Sequence, residues 1–160
     1  MASTAPRSIL VDTNILLLIV VGRTSPEIIK RFKRTETYDT KALELAVQIV
    51  SRFSGILTTA NILTEVSNLL SKGLDIASRY AVWETFRALV PYLEERTISS
   101  GRLSRHAEFA RLGLTDVGVT TLGHRGWPVL TDDLDLALVL KARGVFVQNL
   151  NHLRFPSVAD

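Results

Sequence analysis

The chain has no cysteine among its 160 residues. This absence excludes disulfide bonds, thiolate zinc sites, iron–sulfur clusters and cysteine nucleophiles. Long apolar runs are also missing: the longest, residues 15–21, has seven residues, whereas a membrane-spanning helix needs about 18. Residues 1–8, with one arginine and one proline, lack the charged and apolar regions of a secretory signal. We therefore expect a soluble, cytoplasmic protein with no membrane partner.

The composition is that of one folded domain. Hydrophobic residues make up 46% of the chain and charged residues 22%, which is typical of globular proteins and not of disordered segments. A chain of this length is long enough for one domain and too short for two of ordinary size. We predict a single domain over residues 1–160.

Positive charge is concentrated near the N-terminus. Residues 1–34 hold six bases and two acids, a net charge of +4, while the whole chain has +3. Most of this excess lies in Lys30, Arg31, Lys33 and Arg34. Such a cluster can bind phosphates electrostatically. The alternative is that it forms the solvated face of a short helix.

Short apolar strands alternate with helical segments along the chain. Strands are predicted at 8–12, 55–59, 127–131 and 145–149, with an edge strand near Ile98. The predicted helices cover residues 13–22, 78–95, 104–112 and 134–143, and others begin near 25, 39, 62 and 115. This alternation is typical of an α/β fold with a mainly parallel sheet that is covered on both faces.

Local signals set the ends of several of these helices. Ser25, Asp39 and Thr115 are predicted N-caps, because their side-chain oxygens can accept a backbone N–H of the first turn. Gly113 is predicted to end the helix before it. Pro91 must kink or end the 78–95 helix, since proline removes a backbone donor.

Acidic residues follow two of the predicted strands. Asp12 ends the first strand, and Asp132 and Asp133 end the 127–131 strand, with Asp135 one turn further on. Ligands of parallel sheets bind beyond the carboxyl ends of the strands, so these acids are candidate site residues. Each also has a structural explanation as a helix cap or a partner of the helix dipole.

Two further acids lie in predicted helices. Glu65 flanks the apolar stripe of its helix and does not oppose it, and Asp116 begins a helix that is almost uncharged until His124. The structural alternatives are a solvent-facing glutamate and a first-turn acid that interacts with the helix dipole.

Four segments, at residues 9–14, 64–66, 112–116 and 129–136, resemble in order the PIN-domain metal-dependent ribonucleases. This family includes the toxins of bacterial toxin–antitoxin pairs. None of the four segments is specific by itself, but together they cover nearly the whole chain. The resemblance implies a PIN-like three-layer α/β sandwich, an endoribonuclease activity and an antitoxin protein as partner.

The resemblance also implies a set of site residues. Asp12, Glu65, Asp116 and Asp133 would be catalytic. The metal would be held by Asp12, Asp116, Asp133 and Asp135, while Asn14, Thr131 and Asp132 would support the site. Three acids crowd where many members of the family show one or two, so the assignment among Asp132, Asp133 and Asp135 stays open. The RNA backbone would be held by Lys30, Arg31, Lys33, Arg34 and Arg154, although Arg154 is equally typical of an ordinary surface arginine.

The chemistry of the side chains agrees with a cation site. Carboxylates that come within a few ångströms repel one another and take up protons unless a cation is present. Oxygen ligands suit Mg²⁺ or Mn²⁺, and the histidines, at 106, 124 and 152, show no ligand spacing. A Mg²⁺ ion keeps several waters, which leaves room for a phosphate oxygen and a nucleophilic water. We therefore expect in-line attack of water on an RNA phosphodiester.

Other interpretations remain open. An aspartate-nucleophile phosphatase would use Asp12, but that pattern has a second aspartate where this chain has Asn14. A PIN-like module without catalysis would bind RNA or a protein partner only. A homodimer is also expected, through the apolar run 15–21 and the apolar side of the 78–95 helix.

Overall fold

In a computed structural model, which describes residues 7–156, five strands form one parallel sheet. They are β1 (Ile9–Val11), β2 (Ile56–Thr58), β3 (Glu94–Glu95), β4 (Val129–Thr131) and β5 (Val147–Asn149). Their order across the sheet is β3-β2-β1-β4-β5, and every neighbouring pair is parallel. This confirms the predicted α/β class. The edge strand lies at Glu94–Glu95 and not at Ile98, which packs half-buried against the core.

Helices cover both faces of the sheet. Because crossovers between parallel strands are right-handed, the path from β1 through β2 to β3 places its helices on one face, and the return to β4 and β5 uses the other face. The helices are α1 (Thr13–Thr24), α2 (Pro26–Arg31), α3 (Thr40–Val50), α4 (Ala60–Leu70), α5 (Ile76–Leu89), α6 (Ser100–Leu103), α7 (Phe109–His124), α8 (Leu134–Ala142) and α9 (Leu150–Arg154). Helix α1 packs against α2–α5, and α7 packs against α6 and α8. None of the helices within residues 7–156 has both the length and the apolarity needed to cross a membrane.

The apolar run at residues 15–21 forms the middle of α1 and belongs to the core. None of its side chains is more than 3% exposed, because α1 lies between the sheet and the helices around it. The expectation that this run takes part in a homodimer face is therefore wrong. On α5 and the turn after it, Tyr80 and Tyr92 are 71% and 84% exposed, so a homodimer through the 78–95 region stays a prediction.

The ends of the helices agree in part with the local signals. Asp39 caps α3, and Pro91 lies in the single 3₁₀ turn Val90–Tyr92 that ends α5. The predicted 104–112 helix is wrong for residues 104–108, which form turns between α6 and α7, and correct for residues 109–112, which are helical up to Gly113. Gly113 interrupts α7 with φ +80° and ψ 174°, a conformation that glycine tolerates because it has no Cβ.

Ser25 is the N-cap residue of α2, as predicted, but its side chain makes no cap bond, and Thr115 lies inside α7 and not at its start. The hydroxyl of Ser25 donates to the carboxylate of Glu27 and caps no backbone N–H of α2. The hydroxyl of Thr115 donates to Glu65 at 2.5 Å. In each case the hydroxyl is oriented by the bond that it donates to a nearby carboxylate.

Candidate functional site at the carboxyl edge of the sheet

Asp12 lies where β1 ends and α1 begins, at the point where the strand order reverses direction. The chain leaves β1 towards β2 and leaves β4 towards β5 on the other side, and such a switch point opens a crevice at the carboxyl edge. One oxygen of Asp12 accepts the N–H of Ile15 at 3.0 Å and so caps α1. The other accepts bonds from the Thr131 hydroxyl and, at 3.3 Å, from the N–H of Asp132. The structure thus joins Asp12 and Thr131, two of the predicted site residues, across β1 and β4.

The carboxylate of Asp12 is costly to ionise. Its residue is only 5% exposed, and burial raises its pKa from 3.8 to about 8. The charge of Asp132 adds to this increase, and the charge of Asp116 makes a smaller contribution. Hydrogen bonds from Thr131 and Ile15 act in the opposite direction without cancelling it. At neutral pH this carboxylate therefore favours either a proton or a nearby cation.

Asp116 faces the same cluster from α7. It is partly buried, and burial raises its pKa from 3.8 to about 6, with further increases from the charges of Asp133, Glu65 and Asp132. In the part of the chain that the structure describes, no lysine or arginine forms a salt bridge with any of these acids or with Asp12. The negative charge at this edge is therefore not neutralised by any lysine or arginine of the described residues.

Two threonines fix the orientation of Glu65, which lies on α4. The Thr13 hydroxyl donates to its Oε2 at 2.8 Å, and the Thr115 hydroxyl donates to its Oε1 at 2.5 Å. Glu65 is exposed, so its carboxylate is oriented and still reachable from solvent. Sequence reasoning missed both threonines as site residues. The one available signal was their position, since Thr13 follows Asp12 and Thr115 precedes Asp116.

Asp132 is held in the cluster by three side chains. Its Oδ1 accepts a bond from Asn14 Nδ2 at 3.2 Å, and its Oδ2 accepts one from the hydroxyl of Tyr38. The amide of Asn151 donates to its backbone carbonyl at 3.3 Å. Asn14 therefore supports a carboxylate, as predicted for it, and that carboxylate belongs to Asp132. Tyr38 and Asn151 were not predicted, because no local pattern shows that residues so distant in sequence meet here.

The other two acids after β4 have different surroundings. Asp133 caps α8 by accepting the N–H of Leu136 at 3.0 Å, and its charge helps to raise the pKa of Asp116. Asp135 is exposed and pairs with Arg111 at 3.3 Å. The structure therefore brings Asp132 and Asp133 to the cluster and directs Asp135 to a surface ion pair.

Arg154 supports this site from α9. Its side chain is 11% exposed, donates to Asn151 Oδ1 at 3.2 Å and to the carbonyl of Thr37 at 3.2 Å, and lies 5.5 Å from the ring centroid of Tyr38. Tyr38 and Asn151 are residues that hold Asp132. A phosphate that binds Arg154, as predicted for it, would compete with these partners.

The basic cluster predicted to bind RNA is divided over the surface. Lys30 donates to the carbonyl of Glu36 at 3.3 Å, whereas Arg31 pairs with Asp75 at 3.8 Å, at the start of α5. Lys33 and Arg34 are exposed in the turn that follows α2. The structure therefore does not direct the four side chains to one place.

Asn149, at the carboxyl end of β5, has an unused donor. It lies in register with Thr131, and its Oδ1 caps α9 by accepting the N–H of His152 at 3.1 Å. Its Nδ2 is buried and has no acceptor among the described residues. An unpaired buried donor costs about 1–3 kcal/mol, so this amide is a candidate to bind a water molecule or a ligand oxygen.

The carboxylates surround this edge without converging on one point. Within residues 7–156, no group of three or more acidic or histidine side chains is arranged to hold a metal ion. Comparisons of the chain with protein-family models, with curated proteins and with solved structures find no match. A functional proposal for this protein therefore depends on the chemistry of its own residues.

Proposed function

We propose that the chain is a divalent-metal-dependent endoribonuclease of the PIN-domain type, which hydrolyses RNA phosphodiester bonds. One observation carries the proposal: the buried carboxylate of Asp12 lies among other acids, and no basic side chain in the described residues pairs with it. Such an arrangement costs free energy when the carboxylates are ionised. A bound cation would remove that cost.

The donor set fits Mg²⁺ or Mn²⁺. The carboxylates of Asp12, Asp116, Asp132 and Asp133 are hard oxygen donors of the kind that these two cations prefer. Because no three described acids are arranged around one point, one or two of them would ligate the ion directly and the others would act through its bound waters. When bound, the ion neutralises charge on the phosphodiester and supplies an activated water molecule at neutral pH. The raised pKa values of Asp12 and Asp116 support the fit, because a cation favours the ionised form of both groups.

The chain's own residues would position the reacting groups. Thr131 fixes one oxygen of Asp12, and the N-cap bond to Ile15 fixes the other, so this carboxylate is a rigid anchor. Glu65 is exposed and oriented by two hydroxyls, which suits it to orient the attacking water or accept its proton. Hydrolysis then joins the water oxygen to phosphorus and breaks the bond to a ribose oxygen, which leaves as a hydroxyl.

The proposal extends to the toxin half of a toxin–antitoxin pair, as the resemblance to PIN-domain toxins implies. Exposed Lys33 and Arg34 support it, as bases able to contact an RNA backbone. The test is to find a short reading frame beside the gene that encodes a DNA-binding protein and to measure RNA cleavage with its product added. Unchanged cleavage in the presence of that product would contradict an antitoxin role.

The nuclease activity is tested with purified protein, single-stranded RNA and either Mg²⁺ or Mn²⁺. We expect Asp12→Asn to lower the rate of cleavage by about a hundredfold or more, in the range found when one group that stabilises the transition state is removed. The matched control is Glu44→Gln, which removes an exposed carboxylate of α3 that forms no salt bridge among residues 7–156. Wild-type protein that cuts no RNA with either metal would overturn the proposal. If the protein binds RNA but neither cleaves it nor binds Mn²⁺, the result would instead favour a non-catalytic RNA-binding module.

A further inference from the structure

A second charged region lies on the face of the sheet that carries α6, α7 and α8. Between α6 and the end of α7 there is a pocket of about 330 Å³. Five of its six lining residues are arginine or histidine, and none is acidic. They are Arg102, Arg105, His106, Thr121, His124 and Arg125. We call this region the arginine–histidine pocket.

The arginines of this pocket have no acidic partner among residues 7–156, and all three are exposed. Other arginines on the same face are paired. Arg111 lies 2.8 Å from Glu108 and 3.3 Å from Asp135, and Arg143 lies 3.6 Å from Glu108. The positive charge of the arginine–histidine pocket is therefore available to an anion from outside the chain.

Two imidazole rings lie beside these arginines. The centroids of His106 and His124 lie 6.2 Å apart with the rings stacked, and Arg143 approaches His106 Nε2 at 3.5 Å. Burial lowers the pKa of His124, and the charges of Arg143 and His106 lower it further. An anion bound here would favour the protonated form of His124 and would therefore raise its pKa again.

We propose that the arginine–histidine pocket binds a phosphodiester of the RNA strand, a few nucleotides from the one that is cut at the carboxylates. This inference rests on the proposed function, because it assigns the substrate of the acidic site to a second surface. Asp116 and His124 are eight residues apart on α7, which corresponds to about 12 Å along the helix. A few nucleotides of RNA span this distance. Residues 117–120, 122 and 123 of α7 are buried, so the strand would pass over the surface of neighbouring elements and not along α7 itself.

Electrostatics gives this arrangement a physical reason. The acidic cluster repels a polyanion until a cation is bound, whereas three unpaired arginines attract one at long range. In the N-terminal basic cluster, Arg31 is already paired with Asp75, whereas Lys33 and Arg34 are exposed and available to the same strand. The arginine–histidine pocket adds three arginines that have no acidic partner among residues 7–156, next to the helix that carries Asp116.

The test measures RNA binding without cleavage. Asp12→Asn protein in EDTA is titrated into fluorescein-labelled single-stranded RNA at several salt concentrations, and binding is followed by anisotropy. In this background, we expect the triple variant Arg102→Gln, Arg105→Gln, Arg125→Gln to weaken binding about tenfold or more. The plot of log K against log salt should become less steep by about 0.7, because the pocket is proposed to hold one phosphodiester and each phosphate contact on a single strand contributes about 0.7.

Two further variants serve as controls. The triple Arg52→Gln, Lys72→Gln, Arg79→Gln removes the same number of exposed charges from other surfaces, and we expect it to leave affinity and slope unchanged. The lysine triple Arg102→Lys, Arg105→Lys, Arg125→Lys keeps the charge and should keep the slope. Circular dichroism establishes that each variant is folded.

The histidines give an independent readout. We expect RNA to raise the pKa of His124 in an NMR titration of the parent protein and not of the glutamine triple at the pocket. The inference would be overturned if the pocket variant and the control variant weakened RNA binding equally. It would also be overturned if the pocket variant bound RNA as tightly as the parent protein. Cleavage of RNA by the wild-type protein with Mg²⁺ is measured separately. Its absence would overturn the proposed function, whereas the anisotropy result would still show whether the pocket binds RNA.

Discussion

Asp132 and Asp135 lie three residues apart and have opposite electrostatic surroundings. Asp132 is partly buried beside Asp12 and Asp116, and its partners are neutral donors such as Tyr38. Asp135 is exposed and pairs with Arg111 on the outer surface of α7 and α8. Of these two aspartates, Asp132 therefore belongs to an acidic cluster that no described lysine or arginine neutralises, whereas Asp135 is one half of an ordinary surface ion pair. The difference shows which acids are candidates for binding a cation.

The largest expected effect is the gain in stability when the buried charge is removed. A carboxyl group with a raised pKa destabilises the folded state once it ionises, so Asp12→Asn should raise the free energy of unfolding at about pH 9 by several kcal/mol. The magnitude follows because a tenfold change in a proton-binding constant corresponds to about 1.4 kcal/mol. At about pH 5, where Asp12 is protonated in the folded protein, the gain should be small. Urea denaturation at both pH values measures it, and a change that is equal at the two pH values would contradict the interpretation.

The wild-type protein should show the same effect as a pH dependence. Between the ordinary pKa of 3.8 and the folded value of about 8 for Asp12, and about 6 for Asp116, the folded state binds more protons than the unfolded state. Its stability should therefore fall as the pH rises through this window. Mn²⁺ or Mg²⁺ should raise the melting temperature at about pH 9 and have little effect at about pH 5. Calorimetric scans with and without EDTA test this, and a metal effect of equal size at both pH values would refute a carboxylate site.

Cation affinity separates the two aspartates of the comparison. We expect Asp132→Asn to weaken Mn²⁺ binding by about 10–100-fold, the usual range for groups that ligate or support a metal ligand. Asp135→Asn should leave Mn²⁺ affinity within about twofold, because its partner is Arg111 and an exposed pair of this kind interacts weakly. Isothermal titration calorimetry measures both. Equal losses would restore Asp135 as a ligand, as the resemblance implied.

The smallest expected effect is the change in protein stability when the ion pair between Asp135 and Arg111 is removed. Asp135 and Arg111 are both well exposed, and such pairs contribute about 1 kcal/mol or less. Asp135→Asn should therefore change the free energy of unfolding by less than about 1 kcal/mol, and high salt should reduce even this. Urea denaturation in low and high salt checks it. A loss that persists in high salt would mean that Asp135 has a structural role beyond the pair.

Much of the fold could be predicted because it depends on local patterns. The four longer strands, β1, β2, β4 and β5, were found within one or two residues at most ends, since each is a short apolar segment between polar turns. The region from Ile98 to Gly113 and the edge strand before it were predicted less well. There the chain forms a two-residue strand and a four-residue helix, and elements this short carry little hydrophobic periodicity.

The candidate site was predictable only as a set of acids. The sequence shows Asp12, Asp116 and Asp133 as carboxylates near the ends of predicted elements. It does not show which of the acids meet in the folded protein. Whether Asp132 or Asp135 belongs to the cluster depends on which of them meets Tyr38 and which meets Arg111. Those partners come from distant parts of the chain, so the choice requires the tertiary structure.

The sequence alone determined an α/β domain without cysteine, with carboxylates beyond the ends of its strands, because strands, caps and composition are local properties. Only the tertiary structure decided that Asp12 is buried with no basic partner among residues 7–156, that residues 15–21 are core, and that three arginines in and after α6 and α7 line one pocket. Burial and charge pairing depend on which side chains meet across the sheet. They are also the properties that give the acids and the arginines of this protein their different chemistry.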